Sequence, residues 1–89
     1  MIRRKVAIRN RLGLHARAAA RFVHVANRFR SRITATRNGR SMDGKSILGI
    51  LLLAASQGAE LELAAEGDDE AEAIAALAAL VESGFGEEA

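Results

Sequence analysis

The segment RITATRNGRSMD, residues 32–43, predicts a β-hairpin. Its first half, Arg32 to Thr36, alternates and is rich in β-branched residues, which favour strands. Asn38 and Gly39 then supply the two positive-φ positions of a tight hairpin turn. The returning strand, Arg40 to Asp43, is short and polar, which is typical of a strand at the edge of a sheet.

Two further strands are predicted on either side of this hairpin. Residues 5–9 alternate, with Val6 and Ile8 on one side, and residues 60–63 alternate with Leu61 and Leu63 inward. Four strands that each bury one face imply an antiparallel sheet with helices packed on that face.

Three helices complete the order β-α-β-β-α-β-α. The first is predicted over residues 16–28, and the second from Ser46, as its N-cap, to Gln57. The third follows Asp69, whose spacing to Glu72 resembles a capping box, and its core face is predicted to be Ile74, Leu77, Ala78 and Val81. We therefore predict an α+β fold, an open-faced two-layer sandwich with a four-stranded antiparallel sheet and three helices on one face. It forms a single domain over residues 1–89, with a frayed tail after Gly84.

Composition excludes several classes of function. There is no cysteine, so a disulfide framework and a thiolate nucleophile are excluded. The N-terminus lacks the apolar region of a signal peptide, and the longest apolar run, Ile47 to Ala55, has nine residues, against about 20 for a membrane span. We expect a soluble, cytoplasmic protein without membrane insertion.

Charge is segregated along the chain. All 13 basic residues lie between Arg3 and Lys45, and ten of the 11 acidic residues lie between Glu60 and Glu88. A basic half suggests an anionic partner, namely a nucleic acid, an acidic protein surface or a phosphorylated species. Alternatively, the two halves lie side by side in the fold and partly neutralise each other.

The chain has two histidines: His15 lies directly before the first predicted helix, and His24 lies within it. On a helical wheel one face is apolar and is predicted to face the core: Ala19, Phe22, Val23 and Ala26. The opposite ridge contains no acidic residue; its members are Arg17, Arg21, His24 and Arg28. His15 and His24 point in opposite directions, and no carboxylate is near either in sequence, so we expect no metal site. His15 falls at the N-cap, where Ser, Thr, Asp or Asn is usual, beside the free N–H groups of the first turn. An imidazole at an anion-binding helix end, with Arg17 two residues on, is equipped to accept a phosphoryl group.

Two motifs support this interpretation. NRLGLHAR, residues 10–17, and GKSILG, residues 44–49, resemble the HPr family of histidine-containing phosphocarriers in the bacterial phosphoenolpyruvate-dependent phosphotransferase system. The resemblance covers essentially the whole chain. It departs from the family at Ala18, where relatives usually have proline, and at Leu12, where a small or polar residue is common.

The resemblance implies a role for particular residues. His15 would take a phosphoryl group on Nδ1 from enzyme I and pass it to an EIIA-type acceptor, in sugar transport or a nitrogen-type regulatory cascade, while Arg17 helps to hold the group. Ser46 would be the regulatory site of an HPr kinase/phosphorylase. The partner surface would comprise Arg17, Arg21, His24, Ile47, Leu48 and Leu51. Such a carrier is a shuttle rather than an enzyme, needs no cofactor of its own, and is expected to be a monomer; Mg²⁺ would belong to the enzyme that loads it.

Two other functions remain open from the sequence. A basic α+β module could bind nucleic acid, although there is no tyrosine or tryptophan to stack on bases. A small-ligand regulatory domain of similar topology would have no need of His15.

Overall fold

The computed structural model describes residues 1–87 as two packed layers of secondary structure. Seven helices and strands precede a short 3₁₀ turn, the C-terminal turn, at Gly84–Gly86. In chain order they are β1 (Ile2–Ala7), α1 (Ala16–Ala26), β2 (Arg32–Arg37), β3 (Arg40–Asp43), α2 (Ile47–Leu52), β4 (Glu60–Glu66) and α3 (Glu70–Glu82).

The four strands form one antiparallel sheet in the order β1-β4-β2-β3. The predicted hairpin is confirmed, since Asn38 and Gly39 have φ angles of 51° and 78° between β2 and β3. β3 lies at an edge of the sheet, as its short polar sequence predicts. The predicted α+β sandwich is therefore confirmed.

The core lies between one face of the sheet and the three helices. Val6 pairs with Leu61, and Ala35 pairs with Leu63, so that alternate residues of neighbouring strands present their side chains to the same layer. The core faces predicted for the first and third helices are buried there: Ala19, Phe22, Val23, Ala26, Ile74, Leu77, Ala78 and Val81. Within the described part of the chain, no helix is long and apolar enough to span a membrane.

Helix α2 is much shorter than the predicted residues 46–57. It ends at Leu52, and Ala54 adopts a left-handed conformation with φ 50°. The last carbonyls of α2 are satisfied from the hairpin, because Arg37 donates to the Leu53 oxygen (3.1 Å) and Arg40 to the Leu52 oxygen (3.3 Å). These contacts come from another part of the chain, and helical periodicity alone does not reveal them.

The predicted capping box at α3 is wrong. Asp69 is the N-cap residue, but its side chain makes no capping hydrogen bond. Its carboxylate instead accepts from the N–H groups of Arg30 (2.8 Å) and Ser31 (2.9 Å) and from the Ser31 hydroxyl. The Ser31 hydroxyl, together with these N–H groups, lowers the pKa of Asp69 below its usual value. Asp69 therefore joins the start of α3 to the loop between α1 and β2.

The frayed tail predicted after Gly84 is wrong for residues 85–87; residues 88 and 89 lie outside the described part of the chain. Phe85 is only 1% exposed, although its backbone is left-handed, with φ 59°. Burying a phenylalanine side chain contributes about 2–3 kcal/mol. This exceeds the roughly 1–2 kcal/mol cost of the left-handed conformation. Burial of the Phe85 ring in the core therefore holds the C-terminal turn in place.

Replacing Phe85 with alanine tests this attachment. We expect Phe85→Ala to lower the free energy of unfolding by about 3 kcal/mol. This is the low end of the range for Phe→Ala substitutions, because the C-terminal turn can detach from the core and a full cavity then does not form. Urea denaturation measures the loss. The exposed apolar residue Leu48 provides the control, and Leu48→Ala should change stability by less than about 0.5 kcal/mol. Equal, small effects would show that the turn is not anchored.

Candidate functional site at the N-terminus of helix α1

The loop before α1 is fixed against the segment that follows α2. Gly13 has φ 65°, and a Cβ atom there would lie 2.6 Å from the carbonyl oxygen of Ala55. The N–H of Leu14 donates to the same oxygen at 2.9 Å, and the Leu14 side chain is buried. Only glycine combines this conformation with so close an approach. The loop thus delivers residue 15 to the helix entrance in one defined position.

His15 is the N-cap of α1, as predicted. Its backbone is extended (φ −76°, ψ 176°), and its side chain makes no capping hydrogen bond. The first helical hydrogen bond runs from the Ala19 N–H to the His15 carbonyl at 2.9 Å, so the N–H groups of Ala16, Arg17 and Ala18 precede the helical ladder. Ala18, where the resemblance to the family led us to expect proline, is buried and helical. The imidazole therefore remains free for contacts outside its own helix.

Glu87 makes such a contact, which no motif or spacing in the sequence indicates. The Nε2 atom of His15 is hydrogen-bonded to the Glu87 carboxylate from 72 positions further along the chain. The buried Asn10 connects Glu87 to the loop before α1, since its Nδ2 donates to the Gly13 carbonyl (2.8 Å) and to Oε1 of Glu87 (2.8 Å). A carboxylate is thus near His15 in space although none is near it in sequence.

The contacts of Glu87 favour its ionised form. The hydrogen bond from Asn10 lowers the pKa of Glu87, and the hydrogen bond and charge of His15 and the charge of Arg21 act in the same direction against partial burial. Near neutral pH the carboxylate is therefore charged and accepts hydrogen bonds only.

The two groups lie in an open cleft of about 800 Å³. Arg17, predicted to help hold the phosphoryl group, and Arg21, predicted as part of the partner surface, both line it, and so does Arg11, to which sequence reasoning assigned no role. Arg21 also donates to the Phe85 carbonyl at 2.6 Å, which ties α1 to the C-terminal turn. The complete lining is Arg11, Leu12, His15, Ala16, Arg17, Arg21, Gly86 and Glu87. His24, predicted as part of the partner surface, is exposed on α1 but does not line the cleft.

The segregated charges meet at some places in the fold and not at others. Arg3 lies 3.9 Å from Glu62, and Arg4 lies 3.1 Å from Glu82, so part of the basic half is neutralised by the acidic half. Among residues 1–87 no ion pair involves the three arginines of the cleft. These residues also contain no group of three or more metal-ligating side chains. The cleft therefore keeps a net positive charge for an anion, three guanidinium groups against the one carboxylate of Glu87.

Helix α2 presents an apolar surface beside Ser46. Ser46 is its N-cap, as predicted, and accepts the Gly49 N–H at 3.0 Å. Ile47 and Leu48 are 46% and 67% exposed, whereas Leu51 is half-buried against the core. Leu52, which was not predicted to take part, is 49% exposed. Exposed apolar side chains in such a group are typical of a docking surface.

Comparison with known proteins decides the family. The model of the PTS-HPr family, described as the PTS HPr component phosphorylation site, matches residues 2–83. The chain belongs to the HPr family. The phosphocarrier protein HPr of Cupriavidus necator is 47% identical over 87 residues, 98% of each chain. A crystal structure of HPr from Thermoanaerobacter tengcongensis superimposes with a TM-score of 0.96 at 49% identity over the whole of both chains.

Members of the family differ in the assemblies that they form. The HPr-like protein Crh of Bacillus subtilis is 46% identical over 82 residues, 92% of this chain and 96% of Crh. A second T. tengcongensis HPr structure is a dimer (TM-score 0.78, 51% identity, 92% and 94% coverage). HPr proteins are phosphocarriers of the phosphotransferase system, and the alternative of a nucleic-acid-binding module finds no support among these matches.

The loop that carries His15 can be tested at Gly13. Gly13→Ala should cost about 1–2 kcal/mol of unfolding free energy for its left-handed backbone and a further 1–3 kcal/mol because the new Cβ atom meets the Ala55 carbonyl. Gly39 is the matched control, since it has φ 78° and open space around its Cα. Gly39→Ala should show only the backbone cost. Equal losses in urea denaturation would contradict the close approach.

Proposed function

We propose that this HPr-family chain is a phosphoryl shuttle that carries the group on His15. It accepts the group from phosphorylated enzyme I and gives it to an EIIA-type acceptor, in sugar transport or a nitrogen-type regulatory cascade. The observation that carries the proposal is the position of His15: an N-cap histidine that does not cap its helix and lies in a cleft with three arginines. The chain is then a substrate of its partners, regenerated in each cycle, rather than an enzyme.

The cleft supplies what phosphoryl transfer requires, namely position and positive charge. The Nδ1 lone pair of the neutral ring attacks phosphorus, and the bond between phosphorus and the donor atom breaks. The Arg17 guanidinium, with its fork of N–H donors, suits two oxygens of the transferred group. The N–H groups at the start of α1 add a positive field at the same place. Neither a metal nor a cofactor is required on this chain, and Mg²⁺ would act on enzyme I.

Successive partners would dock over the cleft and the neighbouring apolar surface. The whole docking surface combines the exposed Ile47 and Leu48 and the half-buried Leu51 with three residues of the α1 ridge, Arg17, Arg21 and His24. An apolar centre with a positive rim fits a partner whose own rim is acidic. We propose that the chain works as a monomer, since one face must be open to each partner in turn.

The phosphoacceptor can be identified by intact-mass spectrometry after incubation with enzyme I, Mg²⁺ and phosphoenolpyruvate. We expect one acid-labile phosphoryl group on the wild type and none on His15→Ala. His24→Ala is the matched control, because it removes the second histidine from the same helix, and it should be phosphorylated like the wild type. Phosphorylation of His15→Ala, or of no protein at all, would overturn the assignment.

Ser46 is proposed as a regulatory site for an HPr kinase/phosphorylase. Its hydroxyl caps α2 directly before the exposed Ile47 and Leu48. Phosphorylation would add about two negative charges at the edge of this surface. Repulsion from an acidic enzyme I surface would then slow docking without altering the histidine itself.

Ser46→Asp imitates this charge. We expect transfer from enzyme I at low salt to become about tenfold slower, because like charges oppose each other across the interface. The defect should shrink as salt screens the charges. Ser41→Asp is the control, because the Ser41 hydroxyl is hydrogen-bonded to that of Thr36, on the face of the sheet opposite the buried Ala35. This substitution adds the same charge away from the docking surface and should leave the rate of transfer unchanged. A wild-type rate for Ser46→Asp would refute the mechanism.

A further inference from the structure

The C-terminal turn places Glu87 at His15 by three independent contacts. The Phe85 ring is buried in the core, the Phe85 carbonyl accepts from Arg21 at 2.6 Å, and Asn10 donates to Glu87 at 2.8 Å. The Glu87 side chain is itself only 16% exposed. Its position is thus determined by packing and by hydrogen bonds, unlike that of an ordinary surface glutamate.

The contact determines which nitrogen of the imidazole carries the proton. An ionised carboxylate has no hydrogen to donate, so a ring nitrogen bonded to it must be protonated. Glu87 contacts Nε2. A neutral imidazole has one N–H, and the lone pair available for attack is therefore on Nδ1.

We propose that Glu87 is a positioning residue for phosphoryl transfer, which holds His15 in the tautomer with a free Nδ1 and balances the charge that the ring gains. The inference rests on the proposed function of His15 and adds a residue to it. Asn10 supports the arrangement by holding Glu87 and the Gly13 carbonyl at once.

The charge balance follows the transfer step. When Nδ1 forms its bond to phosphorus, the donor atom keeps the electron pair of the bond that breaks. The ring then carries the phosphoryl group on Nδ1 and a hydrogen on Nε2, and so bears a positive charge that the Glu87 carboxylate faces directly. When the group moves on, the electron pair returns to Nδ1 and the ring is neutral again. A carboxylate paired with a histidine stabilises an imidazolium in the same way in hydrolytic triads.

The carboxylate does not obstruct the incoming group. The two ring nitrogens point to different edges of the imidazole, so a partner on Nε2 leaves the Nδ1 edge open. The repulsion between Glu87 and the phosphoryl group is opposed by Arg11, Arg17 and Arg21 in the same cleft.

Glu87→Gln tests the proposal with little change of shape. The amide can still accept from Asn10, but its NH₂ group would donate to Nε2 and favour the opposite tautomer, with the hydrogen on Nδ1. We expect single-turnover phosphorylation by enzyme I to slow about 10- to 100-fold, with little change in the enzyme I concentration that gives half-maximal rate. Glu72→Gln removes the same charge from an exposed position on α3 and should react like the wild type.

Nitrogen-15 NMR of the imidazole gives a readout that a structural role would not change. The wild type at neutral pH should show the hydrogen on Nε2 and a free lone pair on Nδ1, and Glu87→Gln should shift the ring towards the other tautomer. A wild-type ring protonated on Nδ1 overturns the proposal whether or not the variant folds. A wild-type rate for Glu87→Gln, with His15 still phosphorylated, also overturns it and leaves the phosphocarrier function intact. Failure of the phosphocarrier function would appear separately, as absence of phosphate from His15 in the wild type.

Discussion

The close contact between the loop at Gly13 and the carbonyl of Ala55 determines the functional end of the molecule. Leu14 donates to this carbonyl at 2.9 Å, and the left-handed Gly13 allows the two backbones to meet. The same contact explains why α2 ends early, since the chain after Leu52 must turn back to reach the loop. One backbone contact thus sets both the entrance of α1, where His15 lies, and the length of the helix that carries the apolar surface.

The chain end closes the site from the other side. Phe85 has an unfavourable left-handed backbone, which burial of its ring stabilises. As a consequence, Glu87 lies against His15 and Asn10. Arg21 connects the turn to α1. The cleft is therefore built from the first helix, the loop before it and the last described residues, which are far apart in sequence. Its charge is mixed: three arginines attract an anion, and a single carboxylate faces the histidine.

Local patterns predicted the elements well where the signal lies within a few residues. The Asn38-Gly39 turn, the edge strand β3, the core faces of α1 and α3, and the N-cap positions of His15 and Ser46 all follow from short-range rules and are confirmed. The errors lie where distant residues intervene. Arg37 and Arg40 cap a shorter α2, Ser31 takes the carboxylate expected to cap α3, and the core holds a tail expected to fray.

The sequence by itself determined the fold class, the family resemblance and the candidate phosphoacceptor, because alternation, turn residues and two short motifs are properties of neighbouring positions. Only the tertiary structure placed Glu87 at Nε2 of His15, added Arg11 to the cleft and left His24 outside its lining. A hydrogen bond between residues 72 positions apart depends on how the whole chain folds, and no local pattern encodes it.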